Sequence, residues 1–216
     1  TQTLYVRLEV DETGCYATTT QELIVNPIPT VLIGPAYEVC DDDYDGIGSY
    51  NLSTLDETLL DGQTGVSISY YESQEDADNA TNVLDVNYQN TITDTQTLYV
   101  RLEVDETGCY ATTTQELIVN PLPEIITPTP LEECDDDYDG IVSFFDLSQK
   151  TEEILNGQTG ISVSYYETLE NAESSENPIE GLYTNIEVDT QTLYVRLEVD
   201  ETGCYATTTQ ELIVNP

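Results

Sequence analysis

Apolar and polar residues alternate along much of this chain. Leu98, Val100, Leu102 and Val104 are separated by Tyr99, Arg101 and Glu103, the period of two that a half-buried strand requires. Asp105-Glu106-Thr107-Gly108 then reads as a hairpin turn, with Gly108 free to take a positive φ, and residues 109–119 read as the returning strand. Val66, Ile68 and Tyr70 alternate with Ser67, Ser69 and Tyr71 in another strand, and Ile47 to Leu52 gives one more. Short helical turns interrupt the pattern. Ser53 or Thr54 can cap the first, Leu55, Leu59 and Leu60 supply its apolar side, and Gly62 stops it. Its counterpart runs from near Ser148 to Gly157, and a second turn starts at Ser73 or Thr168. The pattern predicts an all-β unit with minor helical decoration.

The pattern also repeats. The 27-residue segment TQTLYVRLEVDETGCYATTTQELIVNP occurs unchanged from Thr1, Thr95 and Thr190, at spacings of 94 and 95 residues. CDDDYDGI recurs from Cys40 and Cys134, and GQTG-x-S-x-SYYE from Gly62 and Gly157. The proline steps Asn26-Pro27-Ile28-Pro29 and Asn120-Pro121-Leu122-Pro123 cannot sit inside a central strand, so boundaries fall there; Thr127-Pro128-Thr129-Pro130 extends the second. The units are then a C-terminal remnant at 1–27, a full repeat at 28–121 and a second at 122–216. Each full unit has about the length of an immunoglobulin-like sandwich, ~100 residues, and should fold alone. The expected fold class is tandem immunoglobulin-like β-sandwich repeats placed end to end. The chain opens mid-strand and carries no signal peptide, as expected of an excised piece of an array. No apolar run approaches the ~20 residues of a transmembrane helix.

Charge narrows the function. The chain carries 43 Asp and Glu against four Lys and Arg, a net charge of −39. Such a surface repels phosphate backbones and anionic lipid, so nucleic acid and direct membrane insertion are excluded as partners. Abundant Tyr and β-branched residues in clean alternation argue for a folded protein whose carboxylates need cations, rather than for disorder. Catalysis finds no foothold: there is no His, no Ser with a base partner and no Gly-rich phosphate loop, so no enzyme is expected. Lys150 is the sole lysine, which argues against Lys–Asn isopeptide bonds.

The acidic loop is the candidate metal centre. Asp41, Asp43 and Asp45 alternate and Gly46 follows, matching the opening of a calcium loop; the Ile47 carbonyl can add a ligand. Asp135, Asp137, Asp139 and Ile141 repeat the set. Ca²⁺ takes six to eight hard oxygens at ~2.3–2.6 Å, which closely spaced carboxylates supply. The twelfth position is Leu52 or Asp146 rather than Glu, and no helices flank the loop, so this is not an EF-hand. Asp105 or Glu106 comes near if the loop shares an end with the last hairpin. Five cysteines remain to be paired. Cys40 with Cys109 and Cys134 with Cys204 would staple each unit internally and leave Cys15 alone; Cys15 with Cys40 and Cys109 with Cys134 would cross the junctions. A strand of about 11 residues between Cys15 and Pro27, ~35 Å when extended, favours the internal scheme. Either scheme needs an oxidising compartment, so an extracellular location is expected. Arg7, Arg101 and Arg196 read as partners in cross-strand ion pairs. Of Tyr70-Tyr71 and Tyr165-Tyr166, alternation makes one of each pair core and the other a surface residue that could stack on sugar.

The stretch ECDDDYDGIVSFFDLSQKTEEILNGQTGISVSYYE, followed by QTLYVRLEVDETGCYATTTQELIVNPLP, resembles the repeats of the SprB-like gliding-motility adhesins of the Bacteroidota. The resemblance covers nearly the whole chain. It implies export by the type IX secretion system, display on the cell surface, association with the gliding machinery and attachment through polysaccharide. The expected role is a structural spacer stiffened by disulfides and Ca²⁺. The alternative is a set of repeats that themselves grip glycan through exposed Tyr and acidic residues.

Overall fold

In a computed structural model, which describes residues 1–135 and 138–216, the predicted period-two segments are strands. The first copy of the repeated segment is a hairpin of β1 (Gln2–Glu9) and β2 (Tyr16–Leu23), with Gln2 opposite Leu23 and Glu9 opposite Tyr16. The next repeat runs β3 (Tyr37–Cys40), β4 (Ser49–Asn51), a 3₁₀ turn leading into α1 (Asp56–Leu60), β5 (Val66–Tyr71), α2 (Gln74–Asn79), β6 (Asn87–Gln89), β7 (Thr95–Val104) and β8 (Tyr110–Asn120). Four of its strands form a sheet in the order β3-β8-β7-β5, and β4 pairs with β6. The last repeat runs β9 (Leu131–Cys134), α3 (Thr151–Leu155), β10 (Ile161–Tyr166), α4 (Leu169–Ser174), β11 (Thr190–Val199) and β12 (Tyr205–Asn215). Its sheet has the matching order β9-β12-β11-β10, with β9 parallel to β12 and the other pairs antiparallel. The fold is mostly β, with two sheet-based domains of some 95 residues, as the spacing of the copies requires.

By their contacts the residues fall into two units. One holds Thr1–Tyr37, Tyr50–Tyr88 and Thr97–Leu117; the other holds Glu38–Ser49, Gln89–Gln96 and Ile118–Pro216. The core of the second is Leu131, Phe145, Leu147, Ile154, Tyr165, Tyr183, Leu193, Val195, Leu197, Leu212 and Val214. Alternate positions of β11 and β12 therefore meet residues from the opposite layer, and each buried Leu contributes roughly 1.5–3 kcal/mol of transfer free energy. In the first unit Leu52, Leu59, Leu98, Val100, Leu102 and Leu117 play the same part.

The two layers are unequal. The layer facing the four-stranded sheet is the short β4–β6 pair in the first repeat, and in the last repeat it shrinks to one antiparallel bridge between Phe145 and Tyr183. The sequence explains this. Ile47-Gly48-Ser49-Tyr50-Asn51 becomes Ile141-Val142-Ser143-Phe144-Phe145-Asp146, with one residue inserted. Phe145 takes the buried place of Tyr50, and Phe144 is displaced outward, 69% exposed. An extra residue in one strand of a pair interrupts its ladder in this way.

Local signals mostly place the helical turns. Ser73 and Thr168 cap α2 and α4, accepting from the backbone N–H groups of Asp76 and Asn171. The first turn begins earlier than expected: Asn51, and Asp146 in its counterpart, is the cap, accepting from Ser53 or Ser148, and neither Ser53 nor Thr54 caps it. The short helices α2 and α4 also bury the outer face of the sheet. Tyr71 and Tyr166 are therefore as buried as Tyr70 and Tyr165, which corrects the expectation of one exposed ring per pair. Tyr70 donates to Asp56 and Tyr165 to the Leu147 carbonyl on one face, while Tyr166 shares a hydrogen bond with Ser175 at the end of α4 on the other.

Candidate functional site: the acidic loop and its disulfide

The acidic loop folds around its first carboxylate. Asp41 is 6% exposed; its Oδ1 accepts from the backbone N–H groups of Asp43 and Tyr44, and its Oδ2 from Gly46 at 2.9 Å. Burial alone would raise its pKa, but these backbone donors hold it below the usual carboxylate value of 3.8. Asp45 accepts from the Ile47 N–H. Desolvation, the Asp45 carboxylate and then Asp42 act the other way on Asp43 and raise its pKa. Carboxylate oxygens of Asp41, Asp43 and Asp45 lie within 4.8 Å of one another, and Asp43 and Asp45 are exposed. The second loop repeats the scaffold: Asp135 accepts from Tyr138 and Gly140, and Asp139 accepts from Ile141. Asp137 lies outside the described residues.

The neighbours of the loop differ from those expected. Asp94, not Asp105 or Glu106, stands beside it. The Asp94 N–H donates to the Gly46 carbonyl, and a Cβ placed on Gly46 would lie 2.8 Å from the Asp94 carboxylate, so Gly46, at φ +75°, is held by both conformation and space. Asp105 caps the opposite end of β7, where Ser67 donates to its carboxylate. Asn90 closes the back of the loop: it donates to the carbonyls of Gly46 and Ile92 and accepts from the Gly48 N–H at 2.6 Å. Asn185 does the same for Gly140, Glu187 and Val142. These residues were not singled out from the sequence, although a signal exists. Tyr88-x-Asn90-x-x-x-Asp94-Thr95-Gln96 recurs as Tyr183-x-Asn185-x-x-x-Asp189-Thr190-Gln191, with variable residues between the shared polar ones.

The sulfur chemistry overturns both expected pairings. Cys40 is bonded to Cys204, with an S–S distance of 2.00 Å, a Cα–Cα distance of 5.5 Å and a sequence separation of 164. Cys15 and Cys109 are free, and so is Cys134. Strand register explains why neither Cys40–Cys109 nor Cys134–Cys204 forms. Asp41 donates to the Asn120 carbonyl at the end of β8, and Cys134 stands opposite Asn215 at the end of β12. Cys109 and Cys204 precede the starts of those same strands. About 11 residues of strand, ~36 Å, separate the members of each expected pair, far beyond the ~7 Å that a disulfide spans. The cross-junction scheme of Cys15–Cys40 and Cys109–Cys134 ran in the wrong direction. The loop cysteine of one copy bonds to the hairpin cysteine of the following copy, not the preceding one.

Other groups gather at this bond. Cys40, Asp41 and Asp42 line one recess with Leu122, Glu173 and Tyr205. Tyr44 takes a left-handed φ of 66° and donates from its hydroxyl to the Pro123 carbonyl at 3.1 Å. Arg196 lies 3.4 Å from the Tyr205 ring centroid, donates to the carbonyls of Ala172 and Glu173 at the end of α4, and pairs with Glu198 at 2.6 Å. The arginine partner is thus two residues along the same strand, not across it. Arg101 and Arg7 pair likewise with Glu103 and Glu9.

Residues 36–123 and 130–216 each match the Flavobacterium inter-domain disulphide bond domain. The chain belongs to that family. The Cys40–Cys204 bond, which ties a residue of the first matched segment to one of the second, is a disulfide of the kind that the family's name describes. A disulfide-bonded domain of this family belongs in a non-reducing compartment. Among the described residues no helix is long and apolar enough to cross a membrane.

No curated protein matches the inter-domain disulphide chain. Solved structures similar to it include Sidekick-1 immunoglobulin domains 1–4, at 10% identity and TM-score 0.28 over 98% of this chain and 57% of that one. The human desmocollin-1 ectodomain is 15% identical, with TM-score 0.26 over 99% and 44% of the two chains. An endo-fucoidan hydrolase of glycoside hydrolase family 107 is 9% identical, with TM-score 0.20 over 99% and 34%. The chain spans between a third and three fifths of the length of these structures.

Proposed function

We propose that this chain is a structural spacer in a large cell-surface adhesin serving gliding motility and surface attachment. The observation that carries this reading is the Cys40–Cys204 bond, which closes a covalent loop across a sequence separation of 164 that spans parts of both repeats. A part that transmits tension benefits from such a bond, because load cannot draw out the residues inside it. The acidic surface and the resemblance to Bacteroidota adhesin repeats support a place outside the cell, after export by type IX secretion, with polysaccharide gripped by other parts of the parent protein. Catalysis has no part in this reading. The glycan-binding alternative needed one exposed ring in each of Tyr70-Tyr71 and Tyr165-Tyr166, and all four are buried.

Calcium is the second element of the proposal. The donor set suits it: Asp41, Asp43 and Asp45 offer hard oxygens within 4.8 Å of one another, and a cation would relieve the repulsion that raises Asp43. The Ile47 carbonyl, and Asp135, Asp137, Asp139 and Ile141 in the second loop, complete the proposed ligands. Binding to the folded state alone would stabilise it by mass action.

Pulling single molecules tests the spacer. With the disulfide intact, unfolding should release a contour shorter by roughly 560 Å than after reduction, at ~3.4 Å for each residue step of the sequence separation of 164. Equal contours would remove the argument. For calcium, EDTA should lower the melting temperature and added Ca²⁺ should restore it, whereas superimposable curves would discard the metal and leave the spacer standing.

A further inference from the structure

The turn that leads from α3 into β10 begins at Asn156. Gly157 follows it, the one Asn-Gly pair in the chain; every other asparagine precedes a larger residue. Both residues are exposed. Asn156 takes the left-handed position that ends α3, with φ 47° and ψ 36°, and its N–H donates to the Glu152 carbonyl. Gly157 has φ +81°, and a Cβ placed on it would meet nothing within 4 Å. Among the described residues no backbone carbonyl accepts the Gly157 N–H. A free amide nitrogen in open space thus follows a carboxamide, one of the chemically labile side chains.

The preceding repeat has an aspartate at this place. Asp61 ends α1 with φ 46° and ψ 43°, and its N–H donates to Glu57 in the same way. The turn therefore accepts an aspartate whose backbone link is ordinary. Two residues on from Asn156 stands a clamp. Gln158 Oε1 accepts from the Glu124 N–H at 2.8 Å, and its Nε2 donates to the Glu124 carbonyl at 2.9 Å and to Leu155 at 3.1 Å. Gln63 grips Thr30 through the same two backbone groups at the same 2.8 and 2.9 Å. Glu124 and Thr30 each directly follow a proline step, so each repeat fastens its entry segment to this turn. The Gln158 N–H also donates to the Leu155 carbonyl at 2.8 Å. The seat of the clamp therefore depends on the number of main-chain atoms between Leu155 and Gln158.

We propose that Asn156-Gly157 is a self-modification site, where slow deamidation forms an isoaspartyl link that frees Glu124 from Gln158 and loosens the entry to the last repeat. The inference rests on these contacts and is independent of the spacer reading. The Gly157 nitrogen attacks Asn156 Cγ. An N–Cγ bond forms, the Cγ–Nδ2 bond breaks, and ammonia leaves with the proton that Gly157 gives up. Water then opens the succinimide. Attack at Cγ gives an aspartate with the ordinary backbone, matching Asp61 and leaving the clamp in place. Attack at the main-chain carbonyl carbon of Asn156 gives isoaspartate, whose backbone runs through Cβ and Cγ. That product adds one main-chain atom inside the turn that seats Gln158.

The test ages the whole chain, disulfide intact, in warm neutral buffer and maps its peptides by mass spectrometry. Replacement of NH by O should proceed at Asn156 at least tenfold faster than at any other asparagine. It should quicken from mildly acidic to mildly alkaline buffer and give both aspartyl and isoaspartyl peptides. Hydrogen exchange then reads the clamp. Peptides holding Glu124 should split into a slow population and one at least tenfold faster, with the fast share equal to the isoaspartyl share. Asn156→Asp should keep the slow rate throughout, and Asn156→Gln, which cannot close the five-membered ring, should keep it after ageing. Conversion at Asn156 no faster than elsewhere would overturn the proposal. So would isoaspartate with unchanged exchange at Glu124, or fast exchange in the fresh Asn156→Asp chain, which would assign the release to charge.

Discussion

The first hairpin and the last have one sequence and two environments. In both, the same residues face each other across the strands: Leu4 meets Gln21 as Leu193 meets Gln210, and Arg7 meets Thr18 as Arg196 meets Thr207. Both keep the glycine turn, the Arg–Glu pair and the arginine stacked on tyrosine. Yet Leu8 is 68% exposed and Leu197 is fully buried. The comparison separates what 27 residues dictate by themselves from what they acquire. Turn, register and cross-strand contacts are local. Burial, the bond at Cys204 and the contact of arginine with a helix end come from β9, β10, α4 and the acidic loop.

Paired substitutions can break this comparison. Cys204→Ser should cost about 4 kcal/mol of unfolding free energy under oxidising conditions, since it opens a loop of 164 residues, while Cys15→Ser should leave urea denaturation of the monomer unchanged. Equal midpoints for the two would mean that the bond does not constrain the unfolded chain. Leu197→Ala should cost ~3 kcal/mol through lost burial and a cavity, against under ~0.5 kcal/mol for Leu8→Ala. A comparable loss at Leu8 would show that the first hairpin has a covered face after all. Arg196→Ala should cost ~2 kcal/mol, because it strands the Ala172 and Glu173 carbonyls, and Arg7→Ala, which faces no helix end, should be close to neutral.

The smallest expected effect concerns pH. Asp41 has a lowered folded-state pKa, so its contribution is present above the unfolded value near 3.8 and is lost as pH falls through the folded value. Thermal melts from pH 6 downward should therefore weaken below about pH 4, and Asp41→Asn should flatten that limb. An unchanged acid limb in Asp41→Asn would assign the loss to other carboxylates.

Much of the local structure was legible in the sequence. The alternation around Leu98 gave the strands, Gly108 gave the turn, and Ser73 and Thr168 gave two helix caps. The metal-like spacing of Asp41, Asp43 and Asp45 does bring their carboxylates together. What was hidden depends on layers and direction. Period two placed Tyr71 on the far face of the sheet but could not reveal that α2 covers that face. A repeat period identifies equivalent cysteines without saying which copy partners which; the position of Cys40 beside Asn120, at the far end of β8 from Cys109, excludes the internal pairing, and the bond to Cys204 fixes the following copy as the partner. The unequal layers follow from the single insertion near Phe144, which the spacings of 94 and 95 registered without locating.

The bond from Cys40 to Cys204 has one more consequence, for survival under proteolytic attack. The proline-rich stretch between the repeats, in which Glu124, Ile125, Thr127 and Thr129 are exposed, lies inside the loop that it closes. A protease that severs the backbone there produces two fragments that remain one molecule, and only a reductant lets them part.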